Sequence, residues 1–145
     1  MNKKIIIRTL EKIALYLELQ GENPFKVSAF RKAAAALEAD ERSLSEIDDI
    51  TAIKGIGKGT AAVIHELMEV GKSSVLEELE RAVPKGLVPL MKLPGLGGKK
   101  LAKLYQELGI VDADSLKAAC EAGQVKALAG FGAKTEEKIL KELEN

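Results

Sequence analysis

Tryptophan is missing from this 145-residue sequence, and three phenylalanines and two tyrosines are its only aromatic residues. With so few large rings and no sustained alternation of polar and apolar positions, a β-sheet core is not expected. The single cysteine, Cys120, excludes an internal disulfide framework and any multi-cysteine metal site, and it fits a reducing compartment. It reads as a small buried apolar side chain. The single histidine, His65, has no His, Cys or carboxylate cluster at metal-ligand spacing, so it reads as a partly exposed helical residue. Net charge is absent as well: Lys plus Arg and Asp plus Glu number 22 each, which removes the global cationic field that gathers nucleic acid indiscriminately. The apolar run Ile5–Ile7 is cut by Arg8, and nothing approaches the roughly 20 apolar residues of a membrane span or the layout of a secretory signal. A cytoplasmic chain with no membrane partner is the expectation.

What is present, 46% hydrophobic and 30% charged residues, suffices for one modest domain or two very small ones. The periodicity is helical nearly throughout. Ile6, Leu10, Ile13 and Leu17 recur every three to four residues from about Lys3 to Gln20, where Gly21 ends the pattern. Asn23 and Pro24 form a helix start ahead of FKVSAFRKAAAALEA, whose alanines favour helix. Further helices are expected from Ser45 to about Ile53, from Lys58 to Val70, and from a cap at Ser73 or Ser74 to just before Pro84. Beyond these come 87–92, 98–108, 114–122, 124–128, and a last one from Ala133 in which Glu136 and Glu137 pair with Lys141. Val83–Gly86 is the best boundary. The expected architecture is all-α, with an amino-terminal helical domain over 1–84 and a second over 87–145. Asp112 and Asp114 have the D-x-D spacing of a two-metal site, but they lie between a helix end at Gly109 and a helix start near Ser115, so Asp114 is expected to cap that helix.

One pattern occurs three times. Writing h for an apolar residue, h-x-x-h-x-G-h-G-x6-h fits Ile50, Ile53, Gly55, Ile56, Gly57 and Ile64. It fits Leu90, Leu93, Gly95, Leu96, Gly97 and Leu104, and again Val125, Leu128, Gly130, Phe131, Gly132 and Ile139. Each copy reads as a short helix, a tight turn and a longer helix, with the apolar residue between the glycines pointing inward. The first N–H groups of the longer helix have no intrahelical partner and lie at the positive end of its dipole, so each turn is an anion site that needs no side-chain charge. Lys58, then Lys99 and Lys100, then Lys134 follow the turns and add a local positive charge. A turn used only for packing is the alternative, most readily in the third copy, where Glu136 and Glu137 follow.

At these residues the chain resembles the helix-hairpin-helix family of DNA-binding motifs, whose turn amides hold a phosphate backbone without reading sequence. The resemblance marks Gly55, Gly57, Lys58 and Gly59, then Gly95, Gly97, Gly98, Lys99 and Lys100, then Gly130, Gly132 and Lys134, as phosphate-binding residues. The second and third copies look like the paired unit that grips both strands across a minor groove. The order of parts, with an Asn-Pro-Phe-Lys helix start, "IKGIGKGTAAVI", "GKSSVLEELE" and then "LMKLPGLGGKKLAKLYQELGI", is similar over the whole chain to the N-terminal portion of X-family DNA polymerases of the bacterial type. That family's first part binds the 5′-phosphate beside a short gap. Here Lys26 and Arg31 match its basic positions, Phe30 stands where a tyrosine hydroxyl would help, and Gly59 stands where a lysine would. Phe25 sits where a ring stacks on a template base, with a core or staple contact as the equal alternative.

The resemblance also limits the chemistry. The family's palm, with its carboxylates and catalytic magnesium, would lie beyond Asn145, so no polymerising centre is expected in these residues. Some members carry a Schiff-base lysine eight residues after the first glycine of the first turn; here that position is Val63, which cannot form an imine. No cofactor is required, although a monovalent cation can bridge such turns and a phosphate, through the carbonyls of Thr51, Ile53 and Ile56 or of Met91, Leu93 and Leu96. The expected function is sequence-non-specific binding of gapped, nicked or duplex DNA by a monomer, as the front of a repair polymerase acting in base excision repair. The alternatives are a free-standing adaptor for branched DNA or a protein partner, and a lyase on abasic sites.

Overall fold

Apolar side chains at helical spacing fold the chain into helices, and among the residues described, 1–144 of the computed structural model, there is no strand. None of these helices is long and apolar enough to cross a membrane. The chain divides into two compact units, Met1–Glu18 with Glu22–Ala82, and Leu19–Gly21 with the residues from Val83 on. Val83 and Pro84, grouped with the first domain from sequence, therefore go with the second unit.

In the first unit, α1 (Lys3–Leu19) buries Ile6, Leu10, Ile13 and Leu17 along one stripe. The Asn23 side chain accepts the Phe25 amide at 2.8 Å and opens α2 (Pro24–Ala39), whose inner face is Val27, Phe30, Ala33, Ala34 and Leu37. Small alanines on that face let other helices approach closely. The Lys3 ammonium donates to the carbonyls of Asp40 and Arg42, tying the start of α1 to the end of α2. The helix expected over 45–53 is instead two short 3-10 turns, Leu44–Glu46 and Ile50–Ala52. The reason is local competition for backbone groups: Glu46 accepts from the Ser43 amide, and Asp49 accepts the Thr51 amide at 2.9 Å. Then α3 (Lys58–Val70) buries Thr60, Ala61, Val63, Ile64 and Leu67. Ser73 starts α4 (Ser74–Ala82) by accepting the Leu76 amide. Glu66 of α3 takes the Ser74 amide and hydroxyl, fixing the corner between these helices.

In the second unit the residues expected as a helix over 87–92 form a 3-10 run, Lys85–Lys92, with Pro89 inside it. Proline has no N–H to give an α-helical ladder, which favours the tighter form. Then come α5 (Gly98–Leu108) and α6 (Ala113–Glu121). The cap of α6 is Asp112, not Asp114: its carboxylate accepts the Ser115 amide at 2.8 Å while the Ser115 hydroxyl accepts the Asp112 amide at 3.1 Å. This reciprocal pairing needs a three-residue spacing, which only Asp112 has to Ser115. The helix expected over 124–128 is a series of turns, and α7 (Ala133–Glu144) follows and packs on α6. Within 124–128 the Lys126 amide is diverted to the Glu136 carboxylate at 2.7 Å. Glu136 therefore does not join Glu137 in facing Lys141; the Glu137–Lys141 pair alone forms, at 3.5 Å. Leu87, Leu101, Leu104, Leu116, Val125 and Ile139 make the core of this unit.

Candidate nucleic-acid interface

Each copy of the repeated pattern is a hairpin closed by one backbone bond across the turn. Ile56 donates to the Ile53 carbonyl at 3.1 Å, Leu96 to that of Leu93 at 3.1 Å, and Phe131 to that of Leu128 at 3.2 Å. The first glycine of each turn has a left-handed backbone, with φ of +104° at Gly55, +83° at Gly95 and +87° at Gly130, a conformation a Cβ disfavours. Ile56 and Leu96, between their glycines, are 5% and 3% exposed and anchor the turns in the core.

The second glycine separates the copies. Gly57 and Gly97 are extended, at φ −93° and −91°, whereas Gly132 is left-handed at +104°. An extended backbone suits any residue, and a Cβ built at Gly57 or Gly97 meets nothing within 4 Å beyond its own chain neighbours. Neither conformation nor internal packing calls for glycine at these two places. What glycine leaves there is open space over a helix N-terminus.

Backbone amides line that space. The first i to i−4 bond of α5 runs from Leu101 to Gly97, so the N–H groups of Gly98, Lys99 and Lys100 lie ahead of the ladder. The same holds for Lys58, Gly59 and Thr60 in α3, whose ladder starts with Ala61 bonded to Gly57, and for Ala133, Lys134 and Thr135 ahead of Glu136 in α7. One difference between the copies lies outside the repeated pattern. Thr60, buried, accepts the Gly57 amide at 3.1 Å and donates to the Gly57 carbonyl at 3.2 Å, so that amide is already engaged. Its sequence signal is a threonine three residues after the glycine, the spacing at which an N3 side chain reaches back to the N-cap amide. Lys58, Lys99 and Lys134 are exposed; Lys100 is half-buried, with its ammonium 5.6 Å from the centroid of the Phe131 ring. Among the proposed cation-holding carbonyls, those of Ile53 and Leu93 already accept the turn-closing bonds.

The candidates for a 5′-phosphate end lie on α2 and do not all reach solvent. Phe25 is 85% exposed, which removes the core or staple reading and leaves a bare ring in the first turn of the helix. Lys26 and Arg31 are exposed, but Phe30 is 7% exposed and belongs to the core of the first unit, so it offers no surface to a ligand. The Arg31 guanidinium is held by Glu18 of α1 at 3.0 and 3.4 Å. That partner lies on a different helix, and no local pattern signals it. Val63, at the position of the family's Schiff-base lysine, is buried on α3. Among the described residues no three His, Cys, Asp or Glu side chains cluster to hold a metal ion.

Comparison with known proteins agrees with this geometry. A family described as a helix-hairpin-helix domain matches residues 1–73, and one described as a SAM-like helix-hairpin-helix tandem matches residues 49–109 and 87–145. The chain is 68% identical over 143 residues to the DNA polymerase/3′-5′ exonuclease PolX of Bacillus subtilis (strain 168), an alignment covering 99% of this chain and 25% of that protein. The chain thus spans about a quarter of the length of that relative. With two hairpins of one geometry and a third variant of it, the chain belongs to the helix-hairpin-helix family and corresponds over its length to the N-terminal part of an X-family polymerase.

Proposed function

We propose that this chain binds DNA through its phosphate backbone, without reading sequence, and acts in the cytoplasm as the monomeric DNA-gripping front of a repair polymerase. The observation that carries this reading is the pair Gly57 and Gly97. Both are glycine where neither the backbone angle nor the protein's own packing needs it, and both stand over unpaired helix amides. A bulky anion pressing its oxygens against those amides is what a Cβ there would obstruct. Exposed Lys58 and Lys99 add charge to each cradle while the chain as a whole stays neutral. The resemblance of the whole chain to part of a protein named as a DNA polymerase and exonuclease supports the same reading.

The finer reading is a gap with a downstream 5′-phosphate. Exposed Phe25 would stack on a base, and Lys26 and Arg31 would meet the phosphate, with Arg31 leaving or sharing Glu18. The carbonyls of Thr51, Ile53 and Ile56, and of Met91, Leu93 and Leu96, would hold a monovalent cation against the phosphate, each oxygen having a second lone pair to offer.

Fluorescence anisotropy on a short-gap DNA with and without the 5′-phosphate, beside intact duplex at two salt concentrations, tests this. Tightest binding to the phosphorylated gap, weakening steeply with salt, is expected. Equal binding to all three would leave a generic duplex clamp. No binding would overturn the nucleic-acid reading in favour of an adaptor that contacts protein.

A further inference from the structure

The third hairpin departs from the other two in ways that all turn it toward its own protein. Gly132 is left-handed where Gly57 and Gly97 are extended, so its amide points differently relative to the helix that follows. Phe131 is half-buried where Ile56 and Leu96 are core residues, and its ring carries the Lys100 ammonium at 5.6 Å. About one turn further along α5, Lys103 donates to the Ala129 carbonyl of the same hairpin at 2.8 Å. The first turn of α7 also brings an anion of its own. Glu136 stands where the other copies have Ala61 and Leu101, and its carboxylate accepts the Lys126 amide at 2.7 Å.

We infer that the third hairpin is not a third phosphate cradle but a clasp that positions Lys100 for the phosphate held by the second hairpin. A carboxylate in the first turn of α7 compensates that end of the helix dipole and repels a second anion. The Phe131 ring, freed from the core, attracts the Lys100 ammonium to its face. Lys100 lies three residues after Gly97, so the confined charge stays beside the amides of Gly97, Gly98 and Lys99. An ammonium has three donors, and the ring occupies only one side of it. A lysine already confined also loses less rotamer freedom when a phosphate takes its charge. This inference rests on the reading of the second hairpin as a phosphate site, and Phe131 is a positioning residue in it.

The test combines amide shifts of the isotope-labelled chain, titrated with a short duplex, and anisotropy on variants. The amides of Gly95, Gly97, Gly98 and Lys99 are expected to move on binding, while those of Gly132, Ala133 and Lys134 hold their positions. Phe131→Leu is expected to weaken binding about two- to fivefold, the loss of one partly exposed cation–π contact, and Phe131→Tyr to restore it. In a Lys100→Met background, Phe131→Leu should have no further effect. Movement of the Gly132 and Ala133 amides equal to that of Gly97 would overturn the clasp while leaving DNA binding intact. So would a Phe131→Leu loss of the same size with or without Lys100. If no hairpin amide moves, the DNA reading fails and the clasp with it.

Discussion

The Thr60 hydroxyl holds the Gly57 amide at 3.1 Å and returns its proton to the Gly57 carbonyl at 3.2 Å, a closed pair at the start of α3 for which α5 has Lys100 instead. The first hairpin is thus braced by a buried side chain. Thr60→Val keeps the volume and removes both bonds, so the first unit should lose about 1–2 kcal/mol of stability, as for other lost helix caps. Thr60→Ser keeps both bonds and gives up only one buried methyl group, so it should cost about 0.8 kcal/mol. Urea denaturation followed by circular dichroism measures both.

Gly97 and Gly95 lie two residues apart but should respond oppositely to alanine. Gly97→Ala places a methyl in open space on an extended backbone, so stability should be unchanged or raised by up to about 1 kcal/mol. Gly95→Ala forces a Cβ onto φ +83° and should cost about 1–2 kcal/mol. Yet Gly97→Ala should weaken DNA binding roughly tenfold or more, the worth of one hydrogen bond to a charged group. Melting curves beside anisotropy separate the two effects. A Gly97→Ala chain that binds DNA as tightly as the parent would remove the observation on which the function rests.

Glu18 restrains Arg31. The pair is partly exposed, so Glu18→Gln should change stability by no more than about 1 kcal/mol. The released guanidinium should favour a terminal phosphate, raising affinity for 5′-phosphorylated gapped DNA several-fold and leaving the unphosphorylated gap unaffected. A gain that ignores the phosphate would place Arg31 elsewhere on the DNA.

Acid should destabilise the fold through its caps. The Ser115 amide and hydroxyl hold the Asp112 carboxyl below its usual range, and the Thr51 hydroxyl and amide do the same for Asp49. Arg42 lowers Asp40 further. A depressed carboxylate pKa stabilises the fold fully above the unfolded value near 4, and that contribution is lost as pH falls through the folded value. Asp112→Asn retains the cap but cannot titrate, so its denaturation midpoint should fall less steeply than the parent's from pH 5 to pH 2.5. Parallel curves would show that Asp112 carries no share of the acid dependence.

Cys120 should be chemically quiet. Burial, with smaller effects from Glu136 and Glu121, pushes its thiol up to about 11 from 9.0. At pH 8 its thiolate fraction is then on the order of 10²-fold below that of an unfolded cysteine. Alkylation followed by mass spectrometry should be slow in the native chain and rapid in urea.

Much of this was legible from local pattern. Asn23 and Pro24 start α2 because a side-chain acceptor and a fixed φ act within two residues, and the repeated glycines locate the turns for the same kind of reason. Legibility failed where one side chain diverted a backbone group from a helix, as Asp49 does at Thr51 and Glu136 at Lys126. The 45–53 and 124–128 helices were lost to such bonds. Asp112 and Asp114 both stand near the start of the helix in sequence, and only the contact with Ser115 makes Asp112 the cap and leaves Asp114 inside the first turn.

By itself the sequence determined the all-helical class, the three turns and their kinship to helix-hairpin-helix proteins, because helical periodicity and glycine spacing are properties of neighbours along the chain. Tertiary structure decided which candidates can meet a ligand. It buried Phe30, bared Phe25, paired Arg31 with Glu18 and set Phe131 under Lys100. These outcomes depend on separate helices competing for the same core and the same charges, and no local pattern encodes which of them prevails.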